Sequence, residues 1–446
     1  MPTESQIIKL DAISESLNSG AMLKAKLILN GLHPAEIARL LESSPSRQRR
    51  LIWEMLDHKN DGEVLLEVGE EVRNNLMESM DDESLLAATK GLDVDDLADL
   101  LDELPETVVK QALKGMDYQY RTRLEGVMNY DEDTAGGLMN TDTITIRPDV
   151  TLDVVLKYLR LRKEMPQNTD NIIVVDRYNH YLGTLSVTAL LCADPEKTVS
   201  ESMDNDYISI NADTLANEVT NIFEDRDLVS APVVDKNNIL LGRITIDDVV
   251  DVIREESEHT VLNMAGLTDE EDIFAPVLPS TRRRAIWLGI NLLTALIASG
   301  VISLFQETIE QVVALAVLMP IVASMGGIAG SQTLTLVIRG IALGNISSTN
   351  SKSLLVKEIS IGLLNSLLWA CVIGVLSSYW FNNYLIGVVI GIAMIANLGF
   401  AALSGVLIPI MLKRIGVDPA LGGGVILTTI TDVIGFSSFL ALGTIF

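Results

Sequence analysis

The sequence predicts a multi-domain membrane protein with three parts: an all-α superhelical N domain, an α/β tandem pair and an all-α transmembrane domain of five helices. Three observations predict this division. The chain has 446 residues and a net charge of −27, and all of that charge lies before Ile286, because five acidic and five basic residues follow. Two internal repeats fill the acidic part. Five apolar runs, each long enough to cross a bilayer as a helix, fill the neutral part.

The repeats and apolar runs set the domain boundaries. We assign residues 1–130 to the N domain, 131–198 and 199–252 to the two α/β units, 253–280 to a connecting helix and linker, and 281–446 to the transmembrane domain. The acidic part is not expected to bind nucleic acid or an anionic membrane surface, and it would attract cations. The sequence offers no nucleophile–base pair and no phosphate-binding loop, so we expect no enzyme activity.

The N domain is predicted to be a stack of short amphipathic helices. Residues 33–45 match residues 93–105 at an offset of 60, with leucines at helical spacing and a proline after each helix. Stacked helix pairs of this kind form a small solenoid. Asp95 and Asp96 lie at a predicted helix start, where the helix dipole favours carboxylates, so this position alone leaves a cation role open.

The second repeat predicts two similar α/β units. Residues 171–191 align without gaps with residues 230–250 at an offset of 59, and each unit reads as strand, helix, strand, turn, strand and helix. This pattern resembles a pair of CBS domains, regulatory modules that often bind adenine nucleotides. The second unit has the motif of such sites in Gly242, Thr245 and Asp248, but Ala189 replaces the aspartate in the first unit. We therefore predict that ATP does not bind.

An acidic helix is predicted to connect the α/β pair to the membrane. Asp248, Asp251, Glu255 and Glu258 recur at spacings of three or four and so share one face. A solvated face is the usual reason for such a pattern. Because this helix leads directly to the membrane, the pattern also fits a coupling element.

The five predicted membrane spans and their flanking charges give one orientation. The basic residues next to the spans lie at ends that share one side, so the positive-inside rule predicts a cytoplasmic N-terminus and a C-terminus outside a multi-pass cell (inner) membrane protein. The spans are 286–305, 313–338, 354–379, 385–411 and 421–444.

The last span carries a carboxylate, Asp432, near its middle. A carboxylate at that depth costs roughly 2.5–3.5 kcal/mol on insertion scales, and it usually marks an ion or substrate path. Thr428 and Thr429 supply oxygens, and Gly435 allows close backbone approach or a break in the helix. In the second span, a small-residue surface with one amide suits a pore lining or helix packing. Its candidate pore residues are Gly326, Gly327, Gly330 and Gln332.

Four motifs accompany this order of parts: YDEDTAGGLM (130–139), MAGLTDEED (264–272), GGIAGSQ (326–332) and VDPALGGGVILTTITDVIGF (417–436). Together with that order, they closely resemble the MgtE family of magnesium channels and transporters along essentially the whole chain. The resemblance implies a homodimer with the pore between subunits, and a plug helix beside the cytoplasmic mouth.

The resemblance also implies roles for individual residues. The aspartate matching Asp432 would bind hydrated magnesium in the pore, and Glu358 and Asp418 would lie near its inner mouth. Regulatory magnesium would bind at or near Asp95, Asp96, Asp227, Asp248, Asp251 and Glu256.

The chain departs from the family pattern at three places. Ile328 replaces a polar asparagine, Gly424-Val425 replaces a polar pair before the pore aspartate, and His259-Thr260 replaces an acidic pair late in the plug helix.

We therefore expect a magnesium-selective channel in the lipid bilayer, gated by cytosolic magnesium and driven by membrane potential. Two alternatives stay open from the sequence. One is a divalent cation channel that prefers cobalt or manganese, which Ile328 makes plausible. The other is a membrane-anchored CBS nucleotide sensor without transport.

Overall fold

The structure is a computed structural model, and it describes Ile13 and residues 21–57, 59–162, 165–267, 272–347 and 349–444. The chain divides into two units. Met1–Ser257 and Glu270–Pro276 form the N-terminal unit, and Glu258–Asp269 and Val277–Phe446 form the membrane unit. Helical, α/β and membrane-helical parts follow in the predicted order, so the predicted fold class is confirmed. Residues 268–271 of the 264–272 motif and the C-terminal Phe446 lie outside the described residues.

The N-terminal unit begins with an array of short helices. Their bounds are α1 Met22–Leu29, α2 Pro34–Glu42, α3 Ser46–Met55, α4 Asp61–Glu67, α5 Glu70–Met77, α6 Asp82–Ala88, α7 Val94–Asp102, α8 Glu106–Gly115 and α9 Tyr118–Val127. The sequence repeat recurs in these bounds, since α2 and α7 begin and end 60 residues apart, as do α3 and α8. Pro45 and Pro105 cap α3 and α8, where a missing backbone N–H is tolerated.

Two α/β units follow, and each contains a three-stranded sheet. The first unit contains β1 Thr145–Ile146, α10 Leu152–Arg162, β2 Asn171–Val175, β3 Tyr181–Ser186, α11 Val187–Cys192 and α12 Val199–Ser202. The second contains β4 Ile210–Asn211, α13 Ala216–Arg226, β5 Ser230–Val234 and β6 Leu240–Thr245. In both sheets the first two strands are parallel and the last two antiparallel.

The two α/β units contact each other through equivalent residues. Tyr181 N donates to Asn238 O at 2.9 Å, and Leu240 N donates to Asn179 O at 2.9 Å. Each of these residues lies 59 positions from its counterpart, which is the offset of the sequence repeat. The repeat therefore produces a pseudo-symmetric pair, as its gapless alignment predicts.

The helical array and the second α/β unit share one continuous hydrophobic core. Leu97 and Leu101 from α7, for example, belong to the same buried cluster as Phe223 and Ile244. The first α/β unit has its own cluster, which includes Leu152, Ile172 and Leu185. Because α7 carries Asp95 and Asp96, this packing fixes the position of those carboxylates against the second α/β unit.

A short segment that precedes the first membrane helix is attached to the array by a buried ion pair. Arg49 of α3 donates to both carboxylate oxygens of Asp272, at 2.7 and 3.0 Å. The two side chains are only 4% and 2% exposed. Glu71 also accepts a hydrogen bond from Asp272 N at 2.9 Å. Such bidentate pairing compensates for the burial of both charges.

The connecting helix α14 spans Ile246–Met264, so its first part belongs to the N-terminal unit and its last turns to the membrane unit. In the membrane unit, the loop after α14 packs on the first membrane helix. Gly266 has a φ of +71° there, and a Cβ on it would overlap the Trp287 indole. Glycine is the residue that fits both conditions.

Five helices among the described residues are long and apolar enough to cross a membrane. Their bounds are α15 Val277–Ser303, α17 Val313–Ala342, α18 Ser351–Trp380, α19 Tyr384–Arg414 and α20 Pro419–Gly443; the short α16 Gln306–Gln311 lies between the first two. Helix α19 is the central element, because it packs against α17, α18 and α20. Helix α20 is continuous across its glycines, so those residues do not break it.

Candidate functional site

An open groove runs between α17 and α20 in the membrane unit, with a volume of about 740 Å³. Residues at helical spacing on α17 form one wall, and Thr428 and Asp432 form the other. The wall on α17 consists of Ala323, Ser324, Gly327, Ile328, Ser331, Gln332 and Thr335. Asp432 is therefore the one charged residue among the described residues that line this groove.

Helical periodicity explains which predicted pore residues reach the groove. Thr428 and Asp432 are four positions apart and share a face of α20. Thr428 Oγ1 lies within 3.1 Å of Gly424 O and 3.0 Å of Val425 O, to which it can donate, and the hydroxyl oxygen keeps acceptor capacity. The groove thus offers a carboxylate, hydroxyls and one amide, which are the oxygen donors that hard divalent cations and their water shells prefer.

The structure places the other predicted pore residues of these two helices elsewhere. A Cβ on Gly330 would lie 2.9 Å from Leu427 Cδ1, so this glycine serves helix packing. Gly326 and Gly435 face the amide of Asn397 on α19 and are buried. Thr429 Oγ1 donates to Val425 O at 2.7 Å on another face of α20. Adjacent helical residues point about 100° apart, so neighbours in sequence cannot all line one groove.

Glu358 and Asp418, predicted near the inner mouth, occupy different environments. Glu358 is buried on α18, where Thr333 Oγ1 donates to its Oε2 at 3.3 Å. Asp418 caps α20 by accepting a hydrogen bond from Ala420 N at 2.9 Å. It also accepts from Asn263 Nδ2, at 2.8 Å, near the end of α14. The connecting helix therefore ends against the first residues of the helix that carries Asp432.

A second acidic site lies in the N-terminal unit. Single oxygens of Asp93, Asp95 and Asp96 lie within 4.8 Å of one another at the start of α7, a spacing that could hold a metal ion. Asp95 is buried, and its Oδ1 has no hydrogen-bond partner among the described residues. A buried, unpaired carboxylate oxygen is costly, and a cation would remove that cost.

Burial and mutual repulsion raise the pKa values of this cluster. Burial, followed by the charges of Asp248, Asp96 and Asp93, raises the pKa of Asp95 to about 8. Burial and the charge of Asp93 raise the pKa of Asp96 to about 6. Burial and the charge of Asp247 raise the pKa of Asp248 to about 7. The structure thus brings Asp248 of α14 into electrostatic contact with the acidic start of α7.

The remaining predicted sensor residues are more exposed. Burial, followed by the charge of Asp247, raises the pKa of Asp251, which the Arg254 guanidinium 3.9 Å away partly opposes. Asp227 is an exposed left-handed residue that ends α13, with a φ of 50°. Glu256 is exposed on α14. Neither Asp227 nor Glu256 belongs to the three-aspartate cluster at the start of α7.

The candidate nucleotide motif is engaged in local contacts. Thr245 donates to Asp248 Oδ2 through both N and Oγ1, each at 3.1 Å, and its hydroxyl also contacts Asp247. Gly242 packs against the backbone of Asn140. These hydrogen bonds cap the start of α14, so they account for the motif without a nucleotide.

Three contributors to these sites were not singled out from the sequence. Asp93 completes the acidic cluster, Asn263 contacts Asp418, and Asn397 lies behind the groove. Asp93 precedes Asp95 by only two residues, so the sequence itself indicated that their carboxylates could lie close together. Nothing in the spacing of Asn263 or Asn397 indicates their partners, which lie 155 and 75 positions away.

These features define a multi-pass membrane protein. Its acidic N-terminal unit precedes, along the chain, a membrane groove that is lined by one carboxylate and neutral oxygens. Comparison with known proteins identifies the family. Residues 319–442 match the MgtE divalent cation transporter, residues 32–133 the MgtE intracellular N domain, and residues 135–196 and 199–255 the CBS domain. The chain belongs to the MgtE family.

Two relatives match along nearly the whole chain. The magnesium transporter MgtE of Thermus thermophilus is 29% identical over 97% of this chain and 97% of its own. The magnesium transporter MgtE of Bacillus subtilis is 27% identical over 96% of this chain and 95% of its own. A solved structure of the cytosolic domain of the Mg²⁺ channel MgtE in complex with ATP is 28% identical, with a TM-score of 0.49, and covers 55% of this chain and 99% of that one.

Proposed function

We propose that this protein is a magnesium channel of the cell membrane, in which Asp432 attracts the ion. The observation that carries the proposal is the groove between α17 and α20, where Asp432 is the charged residue among neutral oxygen donors. The names of the relatives from Thermus thermophilus and Bacillus subtilis, both magnesium transporters, agree with this choice of ion. They favour magnesium transport over a cobalt- or manganese-preferring channel and over a nucleotide sensor without transport.

The ion passes Asp432 with its water shell in place. Magnesium dehydrates reluctantly and usually keeps several waters in protein sites. The carboxylate of Asp432 and the oxygens of Thr428, Ser331 and Gln332 would accept and orient hydrogen bonds from those waters. One carboxylate per subunit attracts the ion strongly enough for entry and weakly enough for release.

A homodimer completes the pore. The groove is open along one side of a single chain, and Ile328 on its wall is 55% exposed. A second copy facing this side would close the groove and bring a second Asp432 opposite the first. The two carboxylates would then repel each other when the site is empty, which favours a divalent ion.

The membrane potential drives entry. Basic residues flank the spans on the side of the N-terminal unit, so that unit faces the cytosol and the C-terminus faces outside. Each positive charge that crosses inward gains about 2.3 kcal/mol per 100 mV of potential, and transport needs no chemical step.

Cytosolic magnesium closes the channel by binding the acidic cluster. At low magnesium, the charges of Asp93, Asp95, Asp96 and Asp248 repel one another and loosen the N-terminal unit. At high magnesium, the ion bridges them and favours the compact state, a case of differential binding to two conformations. Helix α14 carries Asp248 near its start and Asn263 near its end, so it is the element that transmits the change. Asp227, Asp251 and Glu256 would contribute further binding charge.

Divalent-ion flux into proteoliposomes tests the pore. We expect the wild-type protein to conduct Mg²⁺ in preference to Ca²⁺, Mn²⁺ and Co²⁺, and Asp432→Ala to remove this flux. Thr444→Ala, at the end of α20 and away from the groove, is the matched control. Equal flux in the wild type and Asp432→Ala would exclude this aspartate as the ion site, and absence of any divalent flux in the wild type would refute the function.

A further inference from the structure

We propose that Asn397 is a positioning residue that sets the width of the ion groove, and through it the ion selectivity. The inference rests on the proposed channel function. Asn397 lies on α19 and has no exposed surface. It does not line the groove, yet it contacts both helices that do.

The first contact fixes α17. Asn397 Nδ2 donates to Val322 O at 2.7 Å. A Cβ on Gly326, one helical turn further along, would overlap the same amide. Val322 and Gly326 stand immediately before the groove residues Ala323 and Gly327. The amide therefore holds the part of α17 from which the groove wall begins.

The second contact fixes α20. A Cβ on Gly435 would lie 2.8 Å from Asn397 Nδ2. Gly435 follows Asp432 by three residues, so the two occupy neighbouring positions on the helix surface. Asn397 thus fills the space behind the groove, between the glycine next to the ion-binding aspartate and the start of the opposite wall. A smaller or larger group there would change the distance between the walls.

Stability alone does not explain this residue. Asn397 Oδ1 has no hydrogen-bond partner among the described residues. A buried polar atom without a partner costs free energy, and an apolar side chain of similar size would avoid that cost. Helix pairing in membranes can also be achieved by small residues alone, which α17 and α20 already supply. Asparagine at this position is therefore consistent with a demand for a specific helix separation.

The test compares Asn397 variants with the wild type in proteoliposomes. Asn397→Leu keeps the number and branching of the side-chain heavy atoms, replaces the amide with bulkier methyl groups and removes the hydrogen bond. We expect Mg²⁺ flux per folded protein to fall roughly five- to tenfold, the change expected for one buried hydrogen bond. We also expect the ratio of Mg²⁺ flux to Ca²⁺ and Co²⁺ flux to change. Ser366→Ala, another fully buried polar residue of the membrane unit, is the control and should leave both quantities unchanged.

A compensation experiment separates positioning from folding. Gly326→Ala should reduce flux because the added methyl overlaps the Asn397 amide. Asn397→Ala combined with Gly326→Ala should recover part of that flux, because the methyl then occupies the vacated space.

Three outcomes would overturn the proposal while leaving the channel function intact. The first is an Asn397→Leu variant that folds normally and has the same ratio of Mg²⁺ flux to Ca²⁺ and Co²⁺ flux as the wild type. The second is a loss of flux that only follows the amount of folded protein. The third is a double variant no better than Gly326→Ala alone. Absence of flux in the wild type would instead refute the proposed function.

Discussion

The carboxylates of the N-terminal unit and the carboxylate of the groove are held in opposite ways. Asp93, Asp95 and Asp96 lie together, and burial and mutual repulsion raise the pKa values of Asp95 and Asp96. Asp432 faces an open groove among neutral oxygens. Crowded carboxylates gain much from a bound cation, which suits a sensor that must change state. An isolated carboxylate binds more weakly, which suits a site through which ions must pass.

Asp272 offers a third arrangement, a buried carboxylate fully paired with Arg49. Arg49→Ala leaves Asp272 buried and uncompensated, so we expect the N-terminal unit to lose about 3–5 kcal/mol of stability. Chemical unfolding of the full-length protein in detergent, with limited proteolysis as the readout, measures the loss of stability. Lys110→Ala removes the exposed pair with Glu106 and should cost no more than about 1 kcal/mol. Similar losses in both variants would contradict the compensating role of the buried pair.

Charge rather than shape is expected to decide the behaviour of Asp432. Asp432→Asn keeps the size of the side chain but removes the charge and replaces one acceptor oxygen with an N–H donor, and we expect Mg²⁺ flux to fall on the order of a hundredfold. Asp432→Glu keeps the charge and should retain more flux. Initial rates of Mg²⁺ entry into liposomes, measured with an indicator dye, give the comparison. The isolated-carboxylate interpretation fails if the asparagine variant conducts better than the glutamate variant.

The raised pKa values of the acidic cluster predict how the stability of the metal-free protein depends on pH. The folded-state pKa values of Asp95, Asp96 and Asp248, at about 8, 6 and 7, all exceed the ordinary value of 3.8. The folded state therefore binds more protons than the unfolded chain in this range, and its stability falls as pH rises from about 4 to 8. Thermal unfolding in chelator at several pH values measures the slope.

Magnesium should reverse much of this loss, because it binds the ionised carboxylates. We expect a larger Mg²⁺-induced stabilisation at pH 8 than at pH 5. A stability that rises across the same range without metal would be inconsistent with raised pKa values.

Removing one charge from the acidic cluster should reduce the repulsion between its remaining carboxylates. Asp95→Asn keeps the size of the side chain and removes the charge that Asp96 and Asp248 repel, so we expect metal-free stability at pH 8 to increase by about 1 kcal/mol. The stabilisation by Mg²⁺ should decrease. Protease protection at increasing Mg²⁺ measures both, and Asp225→Asn on the exposed face of α13 is the control. Unchanged Mg²⁺ dependence in Asp95→Asn would exclude this carboxylate from the sensor.

The contact between Asn263 and Asp418 is expected to have the smallest effect. Asn263→Ala removes the partly buried hydrogen bond to Asp418 at the end of α14, worth about 1 kcal/mol, together with the contact of the Asn263 amide with His259 Nε2 at 2.8 Å. If α14 holds the closed state, the Mg²⁺ concentration that half-closes the channel should rise about fivefold, while the maximum flux stays unchanged. Patch recordings at several cytosolic Mg²⁺ concentrations would reveal this shift, and an unaltered half-closing concentration would exclude the contact from gating.

The amino-acid sequence by itself determined the architecture of this protein. The offsets of 60 and 59 recur in equivalent helices and strands, because repeated hydrophobic patterns bury equivalent faces. The five membrane helices follow from length and hydropathy, since a bilayer demands about 20 apolar residues per span. Asp432 was apparent as a candidate because a single carboxylate in an apolar helix is costly.

The tertiary structure alone decided which residues share a site. From the sequence, Gly326, Gly327 and Gly330 were equal candidates for the pore lining, yet only Gly327 lies in the groove. The rotation of α17 about its own axis decides between them, and packing against α19 and α20 sets that rotation. The contacts of Asn397 and Asn263 likewise join positions far apart in the chain, and local sequence patterns carry no information about such distant partners.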